Sequence, residues 1–206
     1  MSARSQYRHG DLRAAALEAA RAAVAVDGAA ALSLRAVARD VGVTHAALYR
    51  HFPDRDALLA ELGVEALQQL AADQERARAR TADPARALEA VALAYFRYAL
   101  RDPALFRVAF VLARKSAYPA LRAAADAAER PALLALHRAA EHGLIASAEV
   151  PHLAVMSWAL LHGFSTLAID GQFGEGAIAV PRGATAAIER ALVDGVRRLL
   201  RIDAPT

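Results

Sequence analysis

A chain of 206 residues, 56% of them apolar and 23% charged, is long enough to bury one large core or two modest ones. It contains no cysteine, which excludes a disulfide framework, a thiolate metal site and a cysteine nucleophile. The net charge of +3 suggests a polyanionic partner only mildly, and residues 1–56 hold eight Arg against six Asp or Glu, so a DNA-binding region has to be sought in where charges lie rather than in their sum.

The first residues, MSARSQYRHGD, carry no apolar stretch, so no signal peptide is expected; Tyr7, Arg8 and His9 make a short basic arm. A first helix is expected from about Asp11 to Val26, with Leu12, Ala16, Ala19, Ala20 and Ala23 on one face and Gly28 just past its end. The segment Ser33–Phe52, SLRAVARDVGVTHAALYRHF, then reads as two short helices. Ser33 is an N-cap type of residue whose hydroxyl can accept from a free backbone N–H. Leu34, Val37, Ala38 and Val41 follow at helical spacing, and Gly42 supplies a left-handed stop. Thr44 can cap a second helix in which Ala47, Leu48, His51 and Phe52 share a face. Two helices around a glycine turn are the helix-turn-helix layout. Ala38 lies where the helices would cross, and Val37, Val41, Val43 and Leu48 close a small core. Thr44, His45, Ala46, Tyr49 and Arg50 are left facing outward.

Pro53 ends this motif and Asp54 can cap a long fourth helix, about Arg55 to Arg80, with Leu58, Leu62, Ala66 and Leu70 on its buried side. Later prolines divide the remainder, since proline is favoured in a first helical turn. Helices are expected at Pro84–Arg101, at Pro103 to about Ala113, at Pro119–His142 with a kink or break at Pro131, at about Val150–Asp170, and from Ala184 to Ile202. The connection from Gly171 to Gly183 is glycine-rich. No alternating pattern supports a strand, so the fold class is all-α with about nine helices: a three-helix DNA-binding domain over 1–55 and a helical domain over 56–206.

The run Leu153–Ile169 is shorter than the ~20 apolar residues of a spanning helix and is interrupted by Ser157, His162, Ser165 and Thr166, so a cytoplasmic protein with no membrane partner is expected. The eighth helix carries Val155, Ala159, His162, Thr166 and Ile169 in one band, beside Trp158 and Leu161. The last carries Ile188, Ala191, Leu192, Gly195, Val196 and Leu199. Such broad apolar faces need more cover than one small domain offers, and a four-helix interface between two copies supplies it.

The sequence carries no recognisable enzyme constellation. Glu149 to His152 is the single E-x-x-H spacing, and it contains Pro151 and lacks the second copy of a di-iron site. H-E-x-x-H, a P-loop and a nucleophile elbow are absent, and Gly171, Gly174 and Gly176 have the wrong spacing for a dinucleotide fingerprint. His137 and His142 do not share a helical face. No catalytic residue, metal site or cofactor is expected.

Over residues 7–62, YRHGDLRAAALEAA and GAAALSLRAVARDVGVTHAALYRHFPDRDALL, the chain resembles the TetR-type (tetracycline-repressor-like) transcriptional regulators. The stretch WALLHGFSTLAIDG is similar to a subgroup whose C-terminal domain has a Trp, His and Gly cluster, here Trp158, His162 and Gly163. The resemblance implies that Arg35 reaches the DNA backbone or a base from the first motif helix, and Ser33 stands at that helix's N-terminus, where free N–H groups favour phosphate. It puts Thr44, His45 and Ala46 where base edges are read, Tyr49 and His51 at phosphates, Arg50 toward the groove, and Arg55 at a phosphate at the start of the fourth helix. Ala47 departs from the Thr or Ser of many members. Helix N-termini favour phosphate on physical grounds as well, and an arginine in the major groove can bond guanine bidentately.

The resemblance further implies a homodimer, joined through helices near 150–170 and 184–202, that binds a palindromic operator on double-stranded DNA and represses until a small-molecule effector releases it. Candidate effector contacts are Tyr95, Tyr98, Phe106, Phe110, Tyr118, Trp158 and His162, with Phe96 beside them. The alternatives are a protein of the same fold occupying many chromosomal sites, and a helical small-molecule enzyme.

Overall fold

The structure is a computed structural model and describes residues 9–113, 118–173 and 185–201. Among them every regular element is helical: α1 (His9–Asp27), α2 (Leu34–Val41), α3 (His45–Tyr49), α4 (Arg55–Ala79), α5 (Pro84–Arg101), α6 (Pro103–Ala113), α7 (Pro119–Glu141), α8 (Val150–Ile169) and α9 (Thr185–Leu200). Short 3-10 turns at Ala29–Ala31 and Ser147–Glu149 precede α2 and α8. Tyr7, Arg8 and most of the glycine-rich connection before α9 lie outside the described residues. The chain forms two compact units, Met1–Leu67 with Ala104–Ala125, and Gln68–Pro103 with Asp126–Thr206.

In the first unit α1 is ridged by Leu12, Ala16, Ala20 and Val24, one residue per turn and all buried. Their small size lets α1 pack closely on α2. Leu34, Val37 and Ala38 of α2, Leu48 of α3, Phe52, and Leu58 and Leu62 of α4 complete this core, while Val41 and Val43 stay half-buried at its edge. The turn between α2 and α3 follows the arithmetic of an αL helix stop. Gly42 sits at φ 77, ψ 29, its N–H donates to Arg39 O at 3.1 Å, and the N–H of Val43 reaches back to Ala38 O at 2.9 Å.

Two expected helices differ. The second motif helix ends at Tyr49, short of Phe52, because His51 N–H bonds Leu48 O in a tighter turn. Phe52 precedes Pro53, where the helical conformation is disfavoured. Phe52 N–H still donates to Leu48 O at 3.0 Å, which keeps its ring directed inward. The seventh helix runs through Pro131 without a break. Beside the proline, the buried Gln74 side chain of α4 donates to Ala128 O at 2.9 Å, adding a donor to a helix that has lost one N–H.

In the second unit α5 packs on both α8 and α9, which also pack on each other. Ala87, Leu88, Val91, Ala92, Tyr95, Phe96, Tyr98 and Ala99 give α5 a buried face wide enough for two neighbours. Two bidentate ion pairs join α5 to α9: Arg97 with Glu189 at 2.7 and 2.8 Å, and Arg197 with Glu89 at 2.7 and 3.0 Å. The inward line of α8 is Val150, Leu153, Leu161 and Ser165. Val155 and Ala159, expected in the same band as His162, face outward instead; Val155 is 63% exposed and Met156, Trp158 and Leu167 are exposed with it. A helix that is apolar on two sides has no sequence signal for which side its own chain covers.

Gly42→Ala puts a Cβ into a left-handed conformation and should cost about 1 kcal/mol, read as a lower urea midpoint at unchanged m-value. Hydrogen bonds from Arg97 hold the Glu189 carboxyl below the ordinary carboxylate range. That contribution to stability is present above the ordinary carboxylate value and is lost as pH falls through the lowered one. Melting temperatures from pH 7 to pH 3 should therefore drop more steeply for the natural chain than for Glu189→Gln.

Candidate nucleic-acid interface

A helix of five residues cannot hold its own shape, since nucleation consumes most of what its few hydrogen bonds return. Three contacts hold α3. The Thr44 hydroxyl accepts from the Ala47 N–H at 3.2 Å, Leu48 is fully buried, and Phe52 closes the end of the turn with its ring fully buried. Leu48 is the one buried residue of α3, so the opposite side is presented to solvent.

That side carries the predicted reading residues. Thr44, Ala46, Tyr49 and Arg50 are exposed, and His45 is half-buried. Tyr49 is 44% exposed, with its ring meeting His45 edge-on at 4.3 Å between centroids, so it is a surface aromatic rather than part of the core. His51 is half-buried on the return of the chain. Arg35 projects from the first turn of α2, an exposed cation beside unpaired helix N–H groups. Ser33 occupies the N-cap position, but its hydroxyl makes no cap bond. The expected local hydrogen bond is absent, and the residue is exposed.

Arg55, expected at a phosphate, also has partners within its own chain. Its Nη2 donates to Ala29 O at 2.5 Å and its Nη1 lies 3.4 Å from the Asp56 carboxylate, while its Nε is buried without a partner. The guanidinium thus ties the start of α4 to the 3-10 turn after α1, while 40% of the side chain stays exposed. The capping of α4 falls to Asp54, whose carboxylate accepts from Ala57 N–H at 2.7 Å.

Two ion pairs not expected from the sequence pin α1 to α4. Arg13 pairs with Glu61 at 2.5 Å, Arg21 pairs with Glu65, and the Arg13 guanidinium stands 5.3 Å over the Phe52 ring. Burial pushes the Glu61 carboxyl up despite the opposing pull of Arg13. The signal was available: two arginines two turns apart on α1, and two glutamates one turn apart on α4.

The candidate effector residues fall into separate groups. In the first unit the rings of Phe106 and Phe110 pack at 4.9 Å, and Tyr118 is half-buried before α7. In the second unit Tyr98 is buried with the Arg101 guanidinium 5.1 Å over its ring. Phe96 is buried, meeting Phe164 edge-on at 5.8 Å. Tyr95, Trp158 and His162 come together: the buried Tyr95 hydroxyl lies 2.9 Å from His162 Nδ1, and the Trp158 ring packs on the His162 ring at 5.6 Å. Trp158 itself is 48% exposed, so it does not line an interior of its own unit. Among the described residues no group of three or more His, Asp or Glu is placed to hold a metal ion. One helix among them, spanning Ser147–Ile169, is long and apolar enough to cross a membrane by length and composition; its inner line is covered by α5 and α9.

The family described as bacterial regulatory proteins of the tetR type matches residues 16–62, and the tetracyclin repressor-like C-terminal domain matches residues 88–194, more than half of the chain. The chain belongs to the TetR family. The TetR match over 16–62 contains all of the Ser33–Phe52 motif, and that over 88–194 contains Tyr95, Trp158 and His162. A structure of a protein of unknown function from Rhodococcus sp. RHA1 is 27% identical, with 96% of this chain and 97% of that one covered and a TM-score of 0.80. The TetR family transcriptional regulator PfmR from Thermus thermophilus is 25% identical, with 92% and 99% covered and a TM-score of 0.65. The HTH-type transcriptional regulator Rv1816 of Mycobacterium tuberculosis is 51% identical over 51 residues, a match that spans 25% of this chain and 22% of that relative.

Removing the Thr44 cap isolates the local hydrogen bond that organises α3. Thr44→Ala should lower stability by about 1 kcal/mol, measured by denaturant titration, with the far-ultraviolet helical signal retained at low denaturant.

Proposed function

We propose that this TetR-family chain is a cytoplasmic, homodimeric DNA-binding transcriptional regulator, a repressor that binds a palindromic operator and is released by a small-molecule effector. The observation that carries the DNA-binding reading is the two-sided α3, with Leu48 buried and Thr44, Ala46, Tyr49 and Arg50 exposed as one face. A rigidly backed helix whose outer side is small, aromatic and basic suits a major groove: the small residues permit close approach, Arg50 can donate to a guanine edge, and Tyr49 and Arg35 can reach phosphates. Ala46 is small enough to meet a thymine methyl. Arg55 serves this face indirectly, by holding α4 to the turn at Ala29.

Support for two copies comes from α8. Four of the exposed large apolar residues, Val155, Met156, Trp158 and Leu167, lie on this helix. Ala159 and Gly163 continue the line at one-turn spacing, and a Cβ at Gly163 would meet nothing within 4 Å in its own chain. A small, apolar, flat helix face fits the same face of a second copy, and C2 pairing would set two reading heads toward two half-sites. Repression follows most simply, since a dimer seated on a promoter obstructs polymerase without further contacts. Release requires an effector that binds the DNA-incompetent state more tightly, with a coupling of typically ~1–3 kcal/mol.

Gel-shift titration on DNA flanking the gene, with size-exclusion chromatography and light scattering, tests this reading. Arg50→Ala should lose about tenfold or more in operator affinity and Tyr49→Phe a smaller amount, both remaining folded and of unchanged oligomeric state. Equal affinity for all three proteins would refute the assignment of the α3 face.

A further inference from the structure

The two ion pairs that pin α1 to α4 differ in what they rest on. Arg13 pairs with Glu61 at 2.5 Å and holds its guanidinium 5.3 Å over the Phe52 ring. Arg21, two turns further along α1, pairs with Glu65 and stands over no ring among the described residues. All four side chains are partly exposed, so solvent screens the two pairs alike. Phe52 stands three residues past the end of α3; its N–H donates to Leu48 O at 3.0 Å and its ring is fully buried. Leu48 and Phe52 are thus the two anchors of a helix too short to fix its own direction, and Tyr49 and Arg50 lie between them. Apolar contacts hold a ring without setting its angle, whereas a cation over its face adds a directional attraction. The Glu61 carboxylate in turn fixes the guanidinium from α4.

We propose that Arg13 is a positioning residue for DNA reading: seated over Phe52 and held there by Glu61, it sets the angle at which α3 presents Tyr49 and Arg50. This rests on the reading of the α3 face given above. Arg13 touches no DNA in this role and acts through the Phe52 ring. Contacts to base edges demand one orientation of the helix, so a face already held at that angle has less freedom to lose on binding its own site. Attraction to phosphates is sequence-independent and tolerates a swing of the helix. Loss of Arg13 should therefore weaken sequence-specific binding and spare non-specific binding. The Arg21 and Glu65 pair is an internal control, since it ties the same two helices without touching the anchor of α3.

The test compares the natural full chain with Arg13→Met, which keeps an apolar stem without the cation, Arg13→Lys, which keeps a cation, Glu61→Gln and Arg21→Met. Gel-shift titrations from about 50 to 200 mM salt would use a duplex of the DNA flanking the gene and a random-sequence duplex of equal length. Amide hydrogen exchange of Phe52 would be followed in the DNA-free proteins. Arg13→Met and Glu61→Gln should bind the flanking duplex about fivefold more weakly, with unchanged affinity for the random duplex, an unchanged salt slope and faster Phe52 exchange. Arg13→Lys should recover most of the loss, and Arg21→Met should match the natural chain. Should Arg13→Met fail to fold, Glu61→Gln carries the same comparison. An equal loss in Arg21→Met would reduce Arg13 to a brace between α1 and α4. A salt slope lowered by about one in Arg13→Met would make Arg13 a phosphate contact instead, and natural affinity with natural Phe52 exchange in that variant would also overturn the proposal. A natural chain that binds both duplexes equally would remove the operator reading, while the exchange rates of Arg13→Met and Arg21→Met would still decide whether Arg13 holds the end of α3.

Discussion

The burial of Leu48 and Phe52 is the interaction on which the exposed face of α3 depends. A five-residue helix has no stability of its own, and α3 exists because two large apolar side chains on one side of it are withdrawn from water among α1, α2 and α4. Each neighbouring feature makes that withdrawal possible. The alanine ridge of α1 leaves room for α2, the left-handed Gly42 turns the chain sharply enough to return α3 over Val37 and Ala38, and Pro53 stops the helix where Phe52 must turn inward. The outward residues are then positioned by what lies behind them.

Charge in the first unit is used mainly for bracing. Arg13 and Arg21 are spent on Glu61 and Glu65, and Arg55 on the carbonyl of Ala29. These pairs are partly exposed and each contributes modestly to stability. Their geometric effect is larger: α1 and the start of α4 are tied to the same side of the motif at three places. Among the described residues Arg35 and Arg50 carry no such tie and are exposed. Net charge was uninformative about a nucleic-acid face for this reason, since several of the arginines in this region are already matched by carboxylates.

The second unit is organised by α5, which is apolar over a face broad enough for α8 and α9 and carries the Arg97 and Glu89 that clasp α9 from outside. Its neighbour α8 is apolar on two sides. One side is satisfied by α5 and α9; the other displays Val155, Trp158 and Leu167 to solvent. The Tyr95 hydroxyl joins these two sides, because it lies inside the unit while its partner His162 stands next to the outward ring of Trp158.

Local chemistry alone determined the helices, the glycine turn and the outward set on α3, because capping, proline placement and helical periodicity act within a few residues. Thr44 and Asp54 cap where their side chains predict, though Ser33 does not, and α5 and α6 begin at their prolines. The TetR resemblance read from LYRHF and the Trp, His and Gly cluster is carried by the same short-range patterns. Only the tertiary structure decided the rest. Nothing local says that Arg55 turns back to Ala29, that Gln74 bridges to Ala128 beside Pro131, that α7 continues through that proline, or which apolar side of α8 its own chain covers. Those outcomes depend on partners 26, 54 or 67 residues away, as with Ala29, Ala128 and His162, and a sequence pattern with a period of a few residues carries no information about what will stand opposite it.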